Sequence, residues 1–127
     1  MIRARIPSEH QEQAAFVRWF RLAHPGVLIF AIPNGAFLAG TVGKRAAQMA
    51  RLKAEGLVEG IPDLFIPEWC VWIEMKRAKG GRVSPEQTEM AEALRGMNHL
   101  VIVAHGWEDA KVKLGALLDD PASGVAP

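Results

Sequence analysis

Cys70-Val71-Trp72-Ile73-Glu74-Met75-Lys76 is the stretch on which the architecture turns. Its apolar start reads as a strand covered on both faces, and it then takes two opposite charges two positions apart. Side chains alternate along a strand, so Glu74 and Lys76 point to the same face, where an idle charge is costly. Eleven positions before Glu74, Pro62-Asp63 places a second carboxylate at the head of a short strand, Asp63 to Ile66. Glu68-Trp69 turns the chain between the two runs, and as a hairpin they bring Asp63 and Glu74 to one end of a sheet.

Working outward, Ser84-Pro85-Glu86-Gln87 predicts a helix start, with Ser84 as N-cap, proline at the first helical position and Gln87 at the third. That helix buries Gln87, Met90, Ala91 and Leu94 and stops at Gly96. Leu100 to Ala104 reads as a further strand and Trp107 to Leu118 as a last helix. Upstream, Ser8 and Gln11 form a capping box for a helix running to about Ala23, with a stripe of Phe16, Val17 and Phe20 flanked by Trp19. Stepping back from Phe20 by helical intervals gives Phe16, Gln13 and Glu9, so Glu9 is expected inward and Glu12 at the edge of the stripe. Val27 to Ile32 predicts a strand closed by Pro33-Asn34-Gly35, and residues 41–55 a weaker helix ended by Gly56. The order is that of an α/β fold, a mixed sheet flanked by helices. Residues 8–118 form the expected domain, and 119–127, rich in Pro, Gly, Ala and Ser, a flexible C-terminal tail.

At 127 residues the chain suits one domain with a modest core, and a hydrophobic share of 50% excludes a disordered chain. Cys70 is the lone cysteine, so there is no disulfide framework and a reducing compartment is expected. No apolar run is long enough to span a bilayer and no secretory signal is evident, so the expectation is a cytoplasmic protein without a membrane partner. A net charge of +1 neither demands nor excludes nucleic acid. Basic residues cluster locally, at Lys44, Arg45, Arg51 and Lys53 and again at Arg77, Lys79 and Arg82.

Two carboxylates and an ammonium at a strand end suit metal-assisted phosphodiester hydrolysis. Magnesium prefers oxygen ligands and keeps several waters, so one or two carboxylates suffice, and manganese is expected to substitute. Asp63 and Glu74 are the expected ligands, with the Met75 backbone carbonyl as a third oxygen. Lys76 orients the attacking water or offsets charge at phosphorus. Glu9 takes a metal-bound water or a second ion, and Gln87 holds a water or a phosphate oxygen. Each residue alone has a structural reading: Glu-X-Lys as an ion-pair element, Asp63 as a turn residue, Glu9 as a helix N-terminal charge, Gln87 as a capping-box partner. Those readings leave unexplained why four polar groups share predicted buried faces in the order helix, strand, strand, helix.

That ordered set resembles the PD-(D/E)XK nuclease superfamily, and the fuller pattern its virus-type replication-repair nuclease branch, the VRR-NUC domain. The matching pieces are Glu9-His10-Gln11-Glu12-Gln13, Pro33-Asn34-Gly35, Glu55-Gly56, Gly60-Ile61-Pro62-Asp63-Leu64, Ile73-Glu74-Met75-Lys76 and Ser84-Pro85-Glu86-Gln87. The resemblance implies a restriction-endonuclease-like fold and catalytic roles for Asp63, Glu74 and Lys76, with Glu9 completing the metal site and Gln87 assisting. It implies a small stand-alone protein of bacterial or phage type, similar to homodimeric Holliday-junction resolvases. A two-fold dimer presents two equivalent sites to a four-way junction. Trp69 and Trp107 are then candidate interface residues, and Asn34, Lys44, Arg45, Arg77, Lys79 and Arg82 candidate DNA contacts. A flap or repair-intermediate nuclease working with a helicase or replisome, or a non-catalytic DNA-binding module, are the competing expectations.

Overall fold

The computed structural model describes residues 5–33 and 39–126. Helix α1 (Glu9–Ala23) leads to strand β1 (Phe30–Ala31), helix α2 (Val42–Ala54) and strand β2 (Leu64–Ile66). Strand β3 (Val71–Lys76), helix α3 (Pro85–Gly96), strand β4 (Leu100–His105) and helix α4 (Trp107–Asp119) follow. The helix starts lie where the capping signals put them. Ser8 and Ser84 each accept from the third helical N–H, while Gln11 and Gln87 return a bond to the cap backbone.

The four strands are ordered β1-β2-β3-β4, the first two pairings antiparallel and β3-β4 parallel. A 3-10 turn, Pro67–Trp69, joins β2 to β3, and α3 makes the crossover that a parallel pair requires. β3 begins at Val71 rather than Cys70, because Cys70 takes a left-handed conformation, φ 54°, to close the turn.

The main core lies on one sheet face, where Phe16 and Phe20 of α1 meet Ile73, Met75 and Leu114, all fully buried. On the opposite face Ala91 and Leu94 of α3 cover Val101 and part of Trp72. β3 is therefore covered on both sides, which is why its apolar residues run almost without alternation.

Three expectations are corrected here. The strand expected over Val27–Ile32 shrinks to Phe30–Ala31, because its partner β2 is only three residues long; Ile32 N–H adds one further bond, to the Asp63 carbonyl at 2.8 Å. Trp69 is 6% exposed within the core, so it does not stand ready as an interface residue, while Trp107 packs partly buried against the core. The segment after α4, read as a frayed tail, carries a 3-10 turn at Pro121–Ser123 and rests Val125 on the core. None of the described helices is long and apolar enough to cross a membrane.

Candidate active site

Leu64 lies opposite Ile73 in the β2-β3 ladder, so antiparallel pairing sets Asp63 opposite Glu74, one step beyond the last rung. There the Asp63 side chain takes over from the missing strand: its Oδ2 accepts from Met75 N–H at 2.8 Å. A strand residue presents its N–H and C=O to the same side, so the Met75 carbonyl faces the edge that Asp63 occupies. Lys76 and Glu74 share the opposite sheet face from the main core, with Lys76 Nζ 3.5 Å from Glu74 Oε1.

Glu74 is 3% exposed and Lys76 7%. Burial, then the neighbouring Asp63 charge, pushes the Glu74 carboxyl up to about 8, against the opposing pull of Lys76. Glu74 Oε1 accepts from Gln87 Nε2 at 2.8 Å, whereas its Oε2 is buried without a hydrogen-bond partner among the described residues. A buried carboxylate oxygen left in that state is costly unless something else occupies it. The donor set of Asp63, Glu74 and the Met75 carbonyl consists of oxygens, which fits magnesium or manganese. A cavity of about 270 Å³, walled by Pro62, Val101 and Val103, reaches Glu74 and Gln87 beneath α3.

Gln87 is the capping-box partner that the sequence offered as its structural reading, and its amide also reaches Glu74. Its Oε1 accepts from the Ser84 backbone N–H at 2.9 Å, completing the capping box, and this turns its amide NH2 toward Glu74. Gln87 Nε2 thus donates to the Glu74 carboxyl, a contact the sequence reading did not include. Gly60 permits this approach: a Cβ there would lie 2.3 Å from the Glu86 carbonyl oxygen, and its φ is +86°. The Gly-Ile-Pro-Asp segment therefore runs with Gly60 directly against the first turn of α3. Nothing in the sequence signalled this contact.

The two helix glutamates exchange the positions expected of them. Glu12 is 5% exposed, while the Glu9 side chain is 51% exposed. Angular spacing puts Glu9 on the apolar stripe, but at the first turn of α1 the stripe has run past the structure that would bury it. Glu12 is instead covered by the start of α4, where its Oε2 would lie 2.6 Å from a Cβ at Gly106. A carboxylate there favours the N-terminus of α4, whose Gly106 cap supplies no side chain. Glu9 still reaches the rim of the site, with Oε1 3.9 Å from Lys76 Nζ. It does not join the carboxylate pair: among the described residues no three His, Cys, Asp or Glu side chains converge.

The candidate DNA contacts divide. Arg77, Lys79 and Arg82 are exposed on the segment leaving β3 beside Lys76, and Arg77 shares a surface groove with Glu9. Lys44 and Arg45 are exposed on α2, a helix with no buried residue, and Arg45 Nε donates to the Gly40 carbonyl at 3.1 Å. Nothing in the geometry brings these two to the carboxylates. Asn34 lies outside the described residues.

No family model matches the chain, and no curated protein matches it. Among solved structures, a VRR_NUC domain protein is similar to it, with a TM-score of 0.67 over 89% of this chain and 89% of that one at 19% identity. The fold is that of a VRR-NUC domain. The restriction-endonuclease-like mixed sheet flanked by helices, which the resemblance implied, is therefore present. At this identity the likeness speaks for the fold. The chemistry rests on the residues of this chain.

Proposed function

We propose that the chain is a magnesium- or manganese-dependent, structure-selective endonuclease that hydrolyses phosphodiester bonds in branched DNA. Four-way junctions cut by a homodimer are the first substrate expected. The observation that carries this reading is the buried, unpartnered Glu74 Oε2 beside Asp63 and Lys76. Support also comes from the fold shared with a VRR_NUC domain protein.

In this reading Asp63, Glu74 and the Met75 carbonyl would hold the ion, which would supply Lewis-acid chemistry and make a water more acidic. The residues of the chain do the rest. Gln87 occupies Glu74 Oε1 and so leaves Oε2 as the free donor oxygen. Asp63 is aimed by the Met75 N–H. Lys76, buried beside Glu74, holds a positive charge next to the phosphate, where negative charge grows as the water attacks. Glu9 and Arg77 at the rim face the approaching strand.

The test is cleavage of labelled duplex, flap, fork and four-way DNA with Mg2+, Mn2+ or a chelator. Paired symmetric nicks in the four-way substrate support junction resolution by a dimer, and cuts confined to a flap base support a flap nuclease. Binding without metal-dependent cleavage of any of these DNAs, or cleavage untouched by Asp63→Asn, refutes the enzyme reading.

A further inference from the structure

Cross-strand register gives the sheet face that bears Asp63 and Glu74 a second row, one step along the strands. Phe30 lies opposite Phe65, Phe65 opposite Trp72, and Trp72 beside Val101. Two residues along a strand cover about 6.7 Å, so this row adjoins the carboxylates. The Phe30 and Phe65 rings meet edge-on at 5.9 Å, and Phe65 and Trp72 lie 4.2 Å apart at 31°. His99 stacks on both, 6.3 Å from Phe65 and 6.2 Å from Trp72, and accepts the Trp72 indole N–H at 2.8 Å. Beyond Trp72, Arg95 Nη2 donates to the Val101 carbonyl at 2.9 Å.

Helix α3 covers the Trp72 end of the row, while Phe30 at the other end is 40% exposed and Leu28, two residues before it, 61%. We propose that this row stacks a nucleobase exposed at the branch point of the strand being cut, a flap nucleotide or a base opened at the centre of a four-way junction, so that branched DNA is preferred where such a base lies beside the scissile bond. The proposal rests on the nuclease reading of Asp63 and Glu74 and names the substrate feature that their neighbourhood selects. Bases in continuous duplex are stacked on one another, whereas an unpaired base offers its face to an aromatic ring whatever its identity. Phe30 is the exposed ring, Phe65, Trp72 and His99 are its rigid backing, and Arg95 places a guanidinium at the far end, complementary to backbone phosphate. A second copy of this chain fits less well. A stable interface takes roughly 800 Å² from each partner, and the described exposed large apolar residues at this end of the row are Leu28 and Phe30.

The test is fluorescence anisotropy of the full chain, without divalent metal, on a labelled duplex with a single-stranded flap and on a blunt duplex of equal length. The native protein should bind the flap more tightly. Phe30→Ala should weaken flap binding roughly tenfold and leave blunt-duplex binding unchanged. Phe30→Leu, which keeps apolar bulk without a π face, should behave like Phe30→Ala, and Phe30→Trp should restore binding. Equal affinity of the native protein for both DNAs, native-like flap binding by Phe30→Ala or Phe30→Leu, or a drop in mass by light scattering in Phe30→Ala overturns the proposal. Phe30-dependent flap binding in a protein that cleaves nothing would instead leave the stacking site standing and refute the nuclease reading.

Discussion

Gln87 donates from Nε2 to Glu74 Oε1 at 2.8 Å while its own Oε1 is held by the Ser84 backbone N–H at 2.9 Å. The capping box of α3 and the orientation of a buried carboxylate are thus one device. Gln87→Glu preserves the capping box, since glutamate serves equally at that position, but removes the donor to Glu74. Its α3 cap should persist, but a carboxyl facing buried Glu74 should lower the melting temperature, and cleavage should fall by about tenfold or more, ~1.4 kcal/mol of barrier. Gln87→Ala should lose both, with about 1 kcal/mol of stability gone. Equal activity of Gln87→Glu and the native protein in a single-turnover assay would contradict the coupling.

The Glu74 carboxyl, pushed up to about 8 by burial and by Asp63, ties stability to pH. Between the ordinary carboxylate value and about 8 the unfolded chain has released this proton and the folded one retains it. Stability of the metal-free protein should therefore fall as pH rises through that window. Glu74→Gln should flatten the decline, and Mg2+ or Mn2+, which favours the ionised form, should raise the melting temperature most at the alkaline end. Thermal melts from pH 5 to 9, with and without metal, check this.

Asp63→Asn keeps an oxygen acceptor for the Met75 N–H and removes a charge. The fold should persist, cleavage should drop by about two orders of magnitude or more, and DNA should bind as tightly as before or tighter, because a repulsive carboxylate is gone. Gel-shift and cleavage assays on one preparation separate these effects.

Glu12 and Glu9 should behave oppositely. Glu12, buried at the start of α4, should cost about 1–2 kcal/mol when replaced by alanine, lowering the melting temperature. Glu9, half-exposed and 3.9 Å from Lys76, should cost under about 1 kcal/mol, its loss showing in cleavage instead. Denaturant melts of the two alanine variants decide it.

Gly60→Ala should displace α3, since its Cβ would meet the Glu86 carbonyl oxygen at 2.3 Å with φ at +86°. A loss of about 1–3 kcal/mol together with reduced metal affinity is expected, measured by melting and by Mn2+ titration. Gly56, whose Cβ would meet nothing within 4 Å although its φ is +110°, provides the control: Gly56→Ala should cost stability alone.

Much of this molecule is written in short-range signals. The Ser8 and Ser84 capping boxes, the apolar run into Glu74 and the Asp63–Ile66 segment each depend on neighbours a few positions apart; the helix starts lie where the residues put them, and the two strands begin one residue later, at Leu64 and Val71. The alternation that sets Glu74 beside Lys76 is likewise local. Where local periodicity met a boundary it misled: Glu9 has the right helical phase, yet burial depends on what stands opposite, and at that turn α4 covers Glu12 instead. The brevity of β1 has the same origin, because a ladder is no longer than its partner strand.

From residue order alone come the α/β architecture, the hairpin that unites Asp63 with Glu74, and the acid-and-lysine chemistry they suggest, because backbone periodicity and capping are properties of adjacent residues. The orphaned Oε2 of Glu74, the meeting of the Gln87 amide with Glu74, the burial of Glu12 under α4 and the aromatic row from Phe30 to Trp72 arise between separate elements of the chain. Their contacts follow from how the helices and strands pack, and packing is settled only once the whole chain has closed around its core.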